Sequence, residues 1–283
     1  MDHAVGGQEQ SSQRSSLGAI VLRRPRRLSE LALLAVVYGA YTLSRNAVPT
    51  AVAEAEHNGA DLLRLESSMG MDIERGLNHA VLRLPALVVG ANYYYATLHF
   101  IVTGAVLVWL FRRRPGQYAR HRRVLLIMTM LALVGYWLYP VAPPRLIPGG
   151  GFVDTLRAFG TWGARPGDAV VSASNQYAAM PSMHVGWALW SGATVARQAT
   201  VRALRIAGAC YPALTVLVVV LTANHYLLDA IAAVVVFVAA VVISSMLDGP
   251  LLLLPLTLRR ALPGRSEPAH PKVLAEHTEP VRG

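Results

Sequence analysis

The sequence predicts an all-α, polytopic membrane protein. Hydrophobic residues make up 54% of the 283 residues and charged residues only 15%, which is less charge than a soluble domain of this length carries. Apolar runs near the roughly 20 residues that cross a bilayer recur along the chain. Arginines cluster at the ends of these runs. The net charge of +10 therefore indicates a membrane protein, and nucleic acid is not an expected partner.

Six membrane spans are expected, packed as one helix bundle. They cover Leu28–Leu43, Leu84–Phe111, Val124–Val141, Met183–Ala196, Leu204–Thr222 and Tyr226–Leu247. The second run is long and the fourth is short for a span. The membrane domain is predicted to occupy residues 28–258, with a basic disordered tail at 1–27 and a polar disordered tail at 259–283.

The placement of arginines predicts the orientation. Four clusters, Arg23–Arg27, Arg112–Arg123, Arg197–Arg205 and Arg259–Arg265, fall on the same side of a six-span bundle. The positive-inside rule makes that side cytoplasmic. Both termini are then cytoplasmic, and the protein is expected in the cell membrane.

Two long segments fall on the opposite side. Apolar residues recur at helical spacing in Asp61–Arg83, which predicts an amphipathic helix at the outer interface or over the bundle, with polar residues such as Asn78 on its other faces. Ala142–Met180 is rich in Pro and Gly and predicts an extracytoplasmic loop with short helices. Within it, Asp154 is expected to cap a helix rather than to bind a headgroup.

Two histidines are predicted at the same membrane depth. His184 lies in "MPSMH" at the start of the fourth span, and His225 lies in "ANHYLLDA" before the sixth. Asp229 shares a helical face with His225, and its carboxylate could fix the tautomer of the ring and leave the other nitrogen as a nucleophile. Ionisable groups at this depth favour a functional site. The alternative is two interfacial histidines that reach water independently, beside a structural His–Asp bond.

Three further groups are candidates. Arg145 follows the third span in "APPRL", where a guanidinium suits a phosphate oxygen or anchors the chain at the interface. His99 lies inside the second span and either takes part in a site or bonds a neighbouring helix. Tyr93–Tyr95 are interpreted as interfacial aromatic residues.

"MPSMH" followed by "NHYLLD" resembles the type-2 phosphatidic acid phosphatase superfamily, also called the lipid phosphate phosphatase and haloperoxidase fold. That superfamily has a P-S-x-H motif and a later H-x-x-x-D motif on a helical bundle. The resemblance covers about Leu84 to Val241. "HYLLD" and "PVAPPRL" look most like the branch that contains inositolphosphorylceramide synthases and their bacterial relatives.

The resemblance implies a role for each matching residue, in an enzyme that needs no metal or cofactor. His225 would be the nucleophile that forms a phosphohistidine, and Asp229 would orient it. His184 would be the general acid that protonates the leaving oxygen. Ser182 and nearby backbone amides would hold phosphate oxygens at the helix start. Arg145 would be the cation of the first motif.

The chain also departs from the phosphatase pattern. That pattern has a lysine well before the first-motif arginine and an S-R pair ahead of the second histidine, whereas this chain has "VVVLTANH" there and no lysine upstream. The predicted substitutes are Asn224, Thr222 or a tyrosine, and Tyr226 and His99 complete the expected substrate contacts.

Fewer cations suit a phosphodiester monoanion better than a phosphomonoester dianion. The sequence therefore predicts a lipid phosphotransferase that moves a phospho-headgroup, inositol phosphate-like, between a membrane lipid and an alcohol at the extracytoplasmic face. A lipid phosphate or prenyl diphosphate phosphatase is the first alternative. A non-enzymatic lipid-binding membrane protein is the second.

Overall fold

A computed structural model describes residues 52–161 and 176–247, together with nine scattered positions between 28 and 43. Those nine positions are helical, but the predicted span Leu28–Leu43 lies largely outside the described residues, and both predicted tails lie wholly outside them. Up to Ser244 the described residues form one unit. Residues 245–247 continue its last helix.

The described residues are helical and contain no strand, apart from one isolated bridge between Val141 and Ala178. The helices are α1 (Val52–Ser68), α2 (Glu74–Val81), α3 (Pro85–Arg113), α4 (Pro115–Leu138), α5 (Thr155–Ala158), α6 (Met183–Gln198), α7 (Arg202–Leu221) and α8 (Leu227–Leu247). Proline opens α3 and α4 at the first turn, where its missing N–H costs nothing.

Four of these helices, α3, α4, α7 and α8, are long and apolar enough to cross a membrane. The predicted second, third, fifth and sixth spans correspond to them. The predicted fourth span forms α6, but α6 has only 16 residues, short of the roughly 20 that cross a bilayer. On α8 the buried positions are mostly small, such as Ala233 and Ala240, while Val235 and Val238 are exposed, which is typical of a helix that faces lipid.

The prediction of one amphipathic helix over Asp61–Arg83 is wrong. The chain forms two helices, α1 and α2, because Gly70 adopts a left-handed conformation (φ +68°) that ends the first. The single apolar face is also not observed, since Leu65 and Ile73 are exposed whereas Leu62 is buried and Asn78 is fully buried. The inward faces of α1 and α2 therefore combine apolar and polar side chains.

The loop between α4 and α6 is anchored by two buried asparagines. Asn78 donates to the carbonyls of Val153 (3.2 Å) and Leu221 (3.0 Å) and accepts from the Val153 N–H (2.8 Å). Asn92 accepts from the Thr155 hydroxyl (2.8 Å). The described part of the loop contains a short 3₁₀ turn, Pro144–Leu146, and α5, so the expected short helices are confirmed there.

Helices α6 and α7 make the closest helix contact in the described bundle. A Cβ on Gly192 of α6 would lie 2.4 Å from the carbonyl oxygen of Gly208 on α7. Pro212 cannot donate a hydrogen bond back to that oxygen, because proline has no N–H. The two glycines therefore let the backbones approach as small residues do in membrane bundles.

Candidate active site

The two histidines lie at helix starts that meet side by side. Ser182 caps α6, with its hydroxyl accepting from the Val185 N–H (3.4 Å), and His184 lies in the first turn of this helix. His225 lies just before α8, and Asp229 lies in the first turn of α8. The Ser182 N–H donates to the Asp229 carbonyl (3.2 Å), which joins the two helix starts directly.

The hydrogen bonds of His225 fix its tautomer. Its Nδ1 lies 3.1 Å from Oδ2 of Asp229 and 3.0 Å from the Ala179 carbonyl oxygen. A backbone carbonyl only accepts, so Nδ1 carries the proton. The other nitrogen, Nε2, then keeps its lone pair and is free to act as a nucleophile or base.

Nε2 of His225 points at His184. It lies 3.3 Å from Nδ1 of His184. Because Nε2 of His225 is the acceptor, Nδ1 of His184 is the donor and carries a proton. The structure thus brings together the two predicted histidines, with Nε2 of His225 facing a ring nitrogen of His184.

Aromatic rings surround His184. Tyr95 stacks on it, with ring centroids 4.1 Å apart and planes 20° apart. The buried ring of His99 lies 4.2 Å from it, and Trp187 lies 5.7 Å from His99. Tyr95 belongs to a π-helical turn, Tyr94–Leu98, inside α3. Such turns occur frequently at functional sites, and this one places Tyr95 and His99 against the same imidazole.

A tight turn leads from α7 into the site. Ala223 in this turn has φ +52°, a conformation that costs a non-glycine residue about 1–2 kcal/mol. Asn224 is buried and donates to Oγ1 of Thr222 (2.8 Å), while its Oδ1 accepts from Nε of Arg145 (2.9 Å). The turn therefore positions both His225 and the side chain that orients Arg145.

Arg145 is held by acceptors on three sides. Besides Asn224, its Nη1 donates to Oδ2 of Asp154 (3.1 Å) and its Nη2 to Oε1 of Gln176 (3.0 Å). The Arg145 side chain is 8% exposed and that of Asp154 is 13% exposed. Asp154 also caps α5, as expected, by accepting from the Arg157 N–H (3.2 Å). The carboxylate thus offsets the positive charge of the guanidinium.

Two predicted substrate contacts are engaged within the protein. Tyr226 is fully buried; its hydroxyl donates to the Ala142 carbonyl (2.8 Å), and its N–H donates to Oδ2 of Asp229 (3.1 Å). Ser182 is fully buried and uses an oxygen lone pair for its cap, which leaves its hydroxyl proton for another acceptor. Both residues also support the positions of their neighbours.

The sequence did not single out three residues of this region. Tyr95 was interpreted as an interfacial aromatic residue, yet it stacks on His184. Glu66 and Glu74 are fully buried beside the start of α8. The spacing of the two acids is a signal that the sequence does contain. Glu66 lies four residues after Leu62, and Glu74 lies four residues before Asn78. Each acid therefore shares a helical face with a residue that is buried.

Comparison with known proteins gives one match. The family model of the PAP2 superfamily matches residues 60–243, more than half of the chain and the whole region that contains both histidines. No curated protein and no solved structure shows significant similarity to the chain. With two histidines and an aspartate meeting at the helix starts inside the matched region, the chain belongs to the PAP2 superfamily.

Proposed function

We propose that the protein is a membrane lipid phosphotransferase of the phosphatidic acid phosphatase type, which moves a phospho-headgroup between a lipid and an alcohol through a phosphohistidine. One observation carries the proposal: Nδ1 of His225 is held by Asp229 and Ala179, while its Nε2 faces Nδ1 of His184 at 3.3 Å. Membership of the PAP2 superfamily and the apolar helices support a lipid substrate.

In the first step, the Nε2 lone pair of His225 attacks phosphorus of a phosphodiester lipid. The bond from phosphorus to the oxygen of the lipid alcohol breaks, and His184, as the imidazolium, gives one proton to that oxygen and becomes neutral. The products are the free lipid alcohol and a phosphohistidine that carries the headgroup. The Asp229 carboxylate stabilises the positive charge that the His225 ring acquires.

In the second step, an acceptor alcohol loses its proton to His184 and attacks phosphorus from the side that the lipid alcohol left, opposite His225. The P–N bond breaks, His225 regains its lone pair, and His184 is protonated again. Helix-start amides and the Ser182 hydroxyl would stabilise the charge on the phosphoryl oxygens.

Substrate entry must separate the two histidines. A reacting nitrogen and phosphorus need about 3–3.5 Å between them, and the general acid needs a further hydrogen bond of about 2.8 Å to the leaving oxygen. The 3.3 Å gap between the two nitrogens is too narrow for both. The His184 ring is therefore expected to slide within the plane that Tyr95 sets, while Asp229 and Ala179 hold the ring of His225.

The charge around Arg145 favours a phosphodiester. Asp154 pairs with the guanidinium of Arg145 (3.1 Å) and with that of the more exposed Arg157 (3.7 Å), so the three side chains together carry one net positive charge. A phosphomonoester dianion would need more compensation than these three supply, whereas a phosphodiester carries one negative charge. An inositol phosphate-like headgroup carries this single charge.

The proposed site lies on the extracytoplasmic side of the membrane. Six spans would put the starts of α6 and α8 on the extracytoplasmic side, with α6 as a short span and residues 28–43 as the first. Opposite the histidines, Arg114 of the α3–α4 turn donates to the Gln198 carbonyl at the end of α6 (3.2 Å). The arginine-rich ends of three helices therefore share the end of the bundle away from the site, which supports a cytoplasmic location for them.

Mass spectrometry of the peptide that contains His225 tests the proposal. The purified full-length protein would be incubated briefly with phosphatidylinositol, other bacterial phospholipids and prenyl diphosphates, then quenched in base, which preserves phosphohistidine. The expected product is a phospho-headgroup adduct on His225 and a new phosphodiester lipid. His225→Ala should lack both, whereas His57→Ala, on an exposed histidine of α1, should keep both.

The other outcomes identify the alternatives. A bare phosphoryl adduct with release of inorganic phosphate would overturn the transferase and establish a lipid phosphate or prenyl diphosphate phosphatase. Absence of both an adduct and lipid turnover would overturn an enzymatic function and leave a lipid-binding protein.

A further inference from the structure

Two buried glutamates lie beneath the catalytic helix start and take no part in the proposed transfer. Glu66 on α1 is 0% exposed and Glu74 on α2 is 1% exposed. Oε1 of Glu66 accepts from the Leu228 N–H (2.7 Å), and Oε1 of Glu74 accepts from the Leu227 N–H (3.1 Å). Residues from two distant helices therefore cap the first turn of α8.

These bonds satisfy groups that a helix cannot satisfy itself. The first N–H groups of a helix have no partner within it, and an unsatisfied buried N–H costs about 1–3 kcal/mol. At α8, Asp229 takes the Tyr226 N–H, and the two glutamates take the next two. The partial positive charge at a helix start also favours a carboxylate there.

The remaining oxygens of the two glutamates indicate a shared proton. Oε2 of Glu66 and Oε2 of Glu74 are buried and have no hydrogen-bond partner as two carboxylates. Burial, followed by the hydrogen bond that a protonated Glu66 makes with Glu74, raises the pKa of Glu66 to about 8. Two carboxylates in contact cannot both ionise cheaply, so near neutral pH the pair holds one proton and one negative charge.

We propose that Glu66 and Glu74 are positioning residues: a carboxyl pair that shares one proton and holds the start of α8, with Asp229 and the preceding His225, in the geometry for transfer. The inference deepens the proposed function and rests on it for the activity measurement alone. Glu74 and Glu66 accept from the consecutive N–H groups of Leu227 and Leu228, directly before Asp229, so a shift of the pair moves the carboxylate that holds His225.

The pair makes the site sensitive to alkaline pH. The titratable groups that face it are Asp229 of α8 and Tyr226, which precedes α8; Asp229 in turn bonds His225. Loss of the shared proton gives the glutamate pair a second negative charge beside Asp229. Neither Asp229 nor Tyr226 carries a positive charge that could compensate it. Burial raises the pKa of Glu66 from 4.5 to about 8. The protonated Glu66 therefore contributes fully to the free energy of unfolding below pH 4.5, and this contribution is lost as the pH rises through 8.

The experiment compares Glu66→Gln with Glu66→Leu in the full-length protein, with Glu54→Gln on the exposed face of α1 as the matched control. Glutamine can accept from the Leu228 N–H and donate to Glu74 but cannot lose a proton. Leucine fills similar space without an acceptor. Lipid turnover and thermal unfolding in detergent would be recorded from pH 5 to 10.

Glu66→Gln should keep kcat at pH 7 within about threefold and should move the alkaline loss of kcat upward by a pH unit or more, with little change in KM. Its unfolding temperature should fall less than that of the wild type between pH 5 and 8. Glu66→Leu should lose about tenfold or more in kcat, the effect of one unsatisfied buried amide. Glu54→Gln should follow the wild type in both measurements.

The two measurements separate the failure of this inference from that of the proposed function. If the wild type turns over lipid and Glu66→Gln has the wild-type pH profiles in both activity and unfolding, the shared proton is refuted. If Glu66→Leu is as active as the wild type, the positioning role is refuted. If no variant or wild type turns over lipid but Glu66→Gln changes the pH dependence of unfolding, the proposed function fails and the proton-sharing pair stands.

Discussion

At the scale of single residues, Asp229 supplies both geometry and charge to His225. Its Oδ2 faces Nδ1 of His225 and the Tyr226 N–H, each at 3.1 Å. In Asp229→Asn the amide oxygen can accept both bonds, but the negative charge that would stabilise the proposed phosphohistidine is lost. We expect kcat to fall on the order of 100-fold or more, with a small change in unfolding temperature.

Steady-state turnover and thermal unfolding would be measured together for this variant. Asp72→Asn, on an exposed carboxylate, is the control for loss of an acidic charge elsewhere. Activity of Asp229→Asn within threefold of the wild type would show that the carboxylate only holds the fold.

Tyr95 is expected to act through His184. Its ring stacks at 4.1 Å, which fixes the plane of the imidazole and stabilises the imidazolium that forms when His184 takes a proton. Tyr95→Leu should lower kcat by about tenfold, the effect of roughly 1–1.5 kcal/mol. Tyr95→Phe keeps the ring and should stay within about threefold.

Comparison of the two variants distinguishes this role from a structural one. Steady-state kcat and thermal unfolding would be measured for both. An equal loss of kcat in Tyr95→Leu and Tyr95→Phe would contradict the stacking role.

The sequence predicted the meeting of His184 and His225 but not their supports, for a physical reason. Each histidine belongs to a short motif at a helix start, and the topology alone brings the two starts to one end of the bundle. Tyr95 and Glu66 act through contacts between distant segments. Local spacing shows that a side chain lies on a given face, but not what that face contacts.

At the scale of helices, Gly192 sets the contact between α6, which carries His184, and α7. A Cβ there would meet the Gly208 carbonyl oxygen at 2.4 Å and Pro212 at 2.9 Å. Gly192→Ala should push the helices apart and destabilise the protein by about 1–3 kcal/mol. Gly104→Ala in α3 is the matched control, because nothing lies within 4 Å of its added Cβ and alanine favours a helix.

Thermal unfolding in detergent would compare the two alanine variants. The unfolding temperature should fall in Gly192→Ala and stay level or rise in Gly104→Ala. Equal values for both would contradict the close packing of α6 on α7.

The long apolar helices were predictable from sequence, and the segment over the site was not. Long apolar runs predict α3, α4, α7 and α8, because an apolar helix is stable both against lipid and in the interior of the protein. In Asp61–Arg83 the periodicity predicts one apolar face, but Glu66, Glu74 and Asn78 are buried beside Leu62, while Leu65 and Ile73 are exposed. Their partners are backbone groups of the loop and of the α8 start, which no periodicity reveals.

At the scale of the whole molecule, the arginine-rich turns and the candidate site lie at opposite ends of the bundle. The arginine-rich turns connect α3 to α4 and α6 to α7, whereas His184 and His225 lie at the starts of α6 and α8. The positive-inside rule then predicts an extracytoplasmic site. The count of six spans depends on α6, with 16 residues, and on the segment at residues 28–43.

Cysteine labelling in intact cells tests this orientation. Cys210 is the only cysteine of the chain, so Cys210→Ala gives a cysteine-free background. Ser68→Cys, on an exposed position near the site end, should react with a membrane-impermeant maleimide in intact spheroplasts, because the proposed orientation places that end outside. Gln117→Cys, on an exposed position of the arginine-rich end, should react only after permeabilisation. The opposite pattern would place the site in the cytoplasm and require the transferred headgroup to come from the inner leaflet.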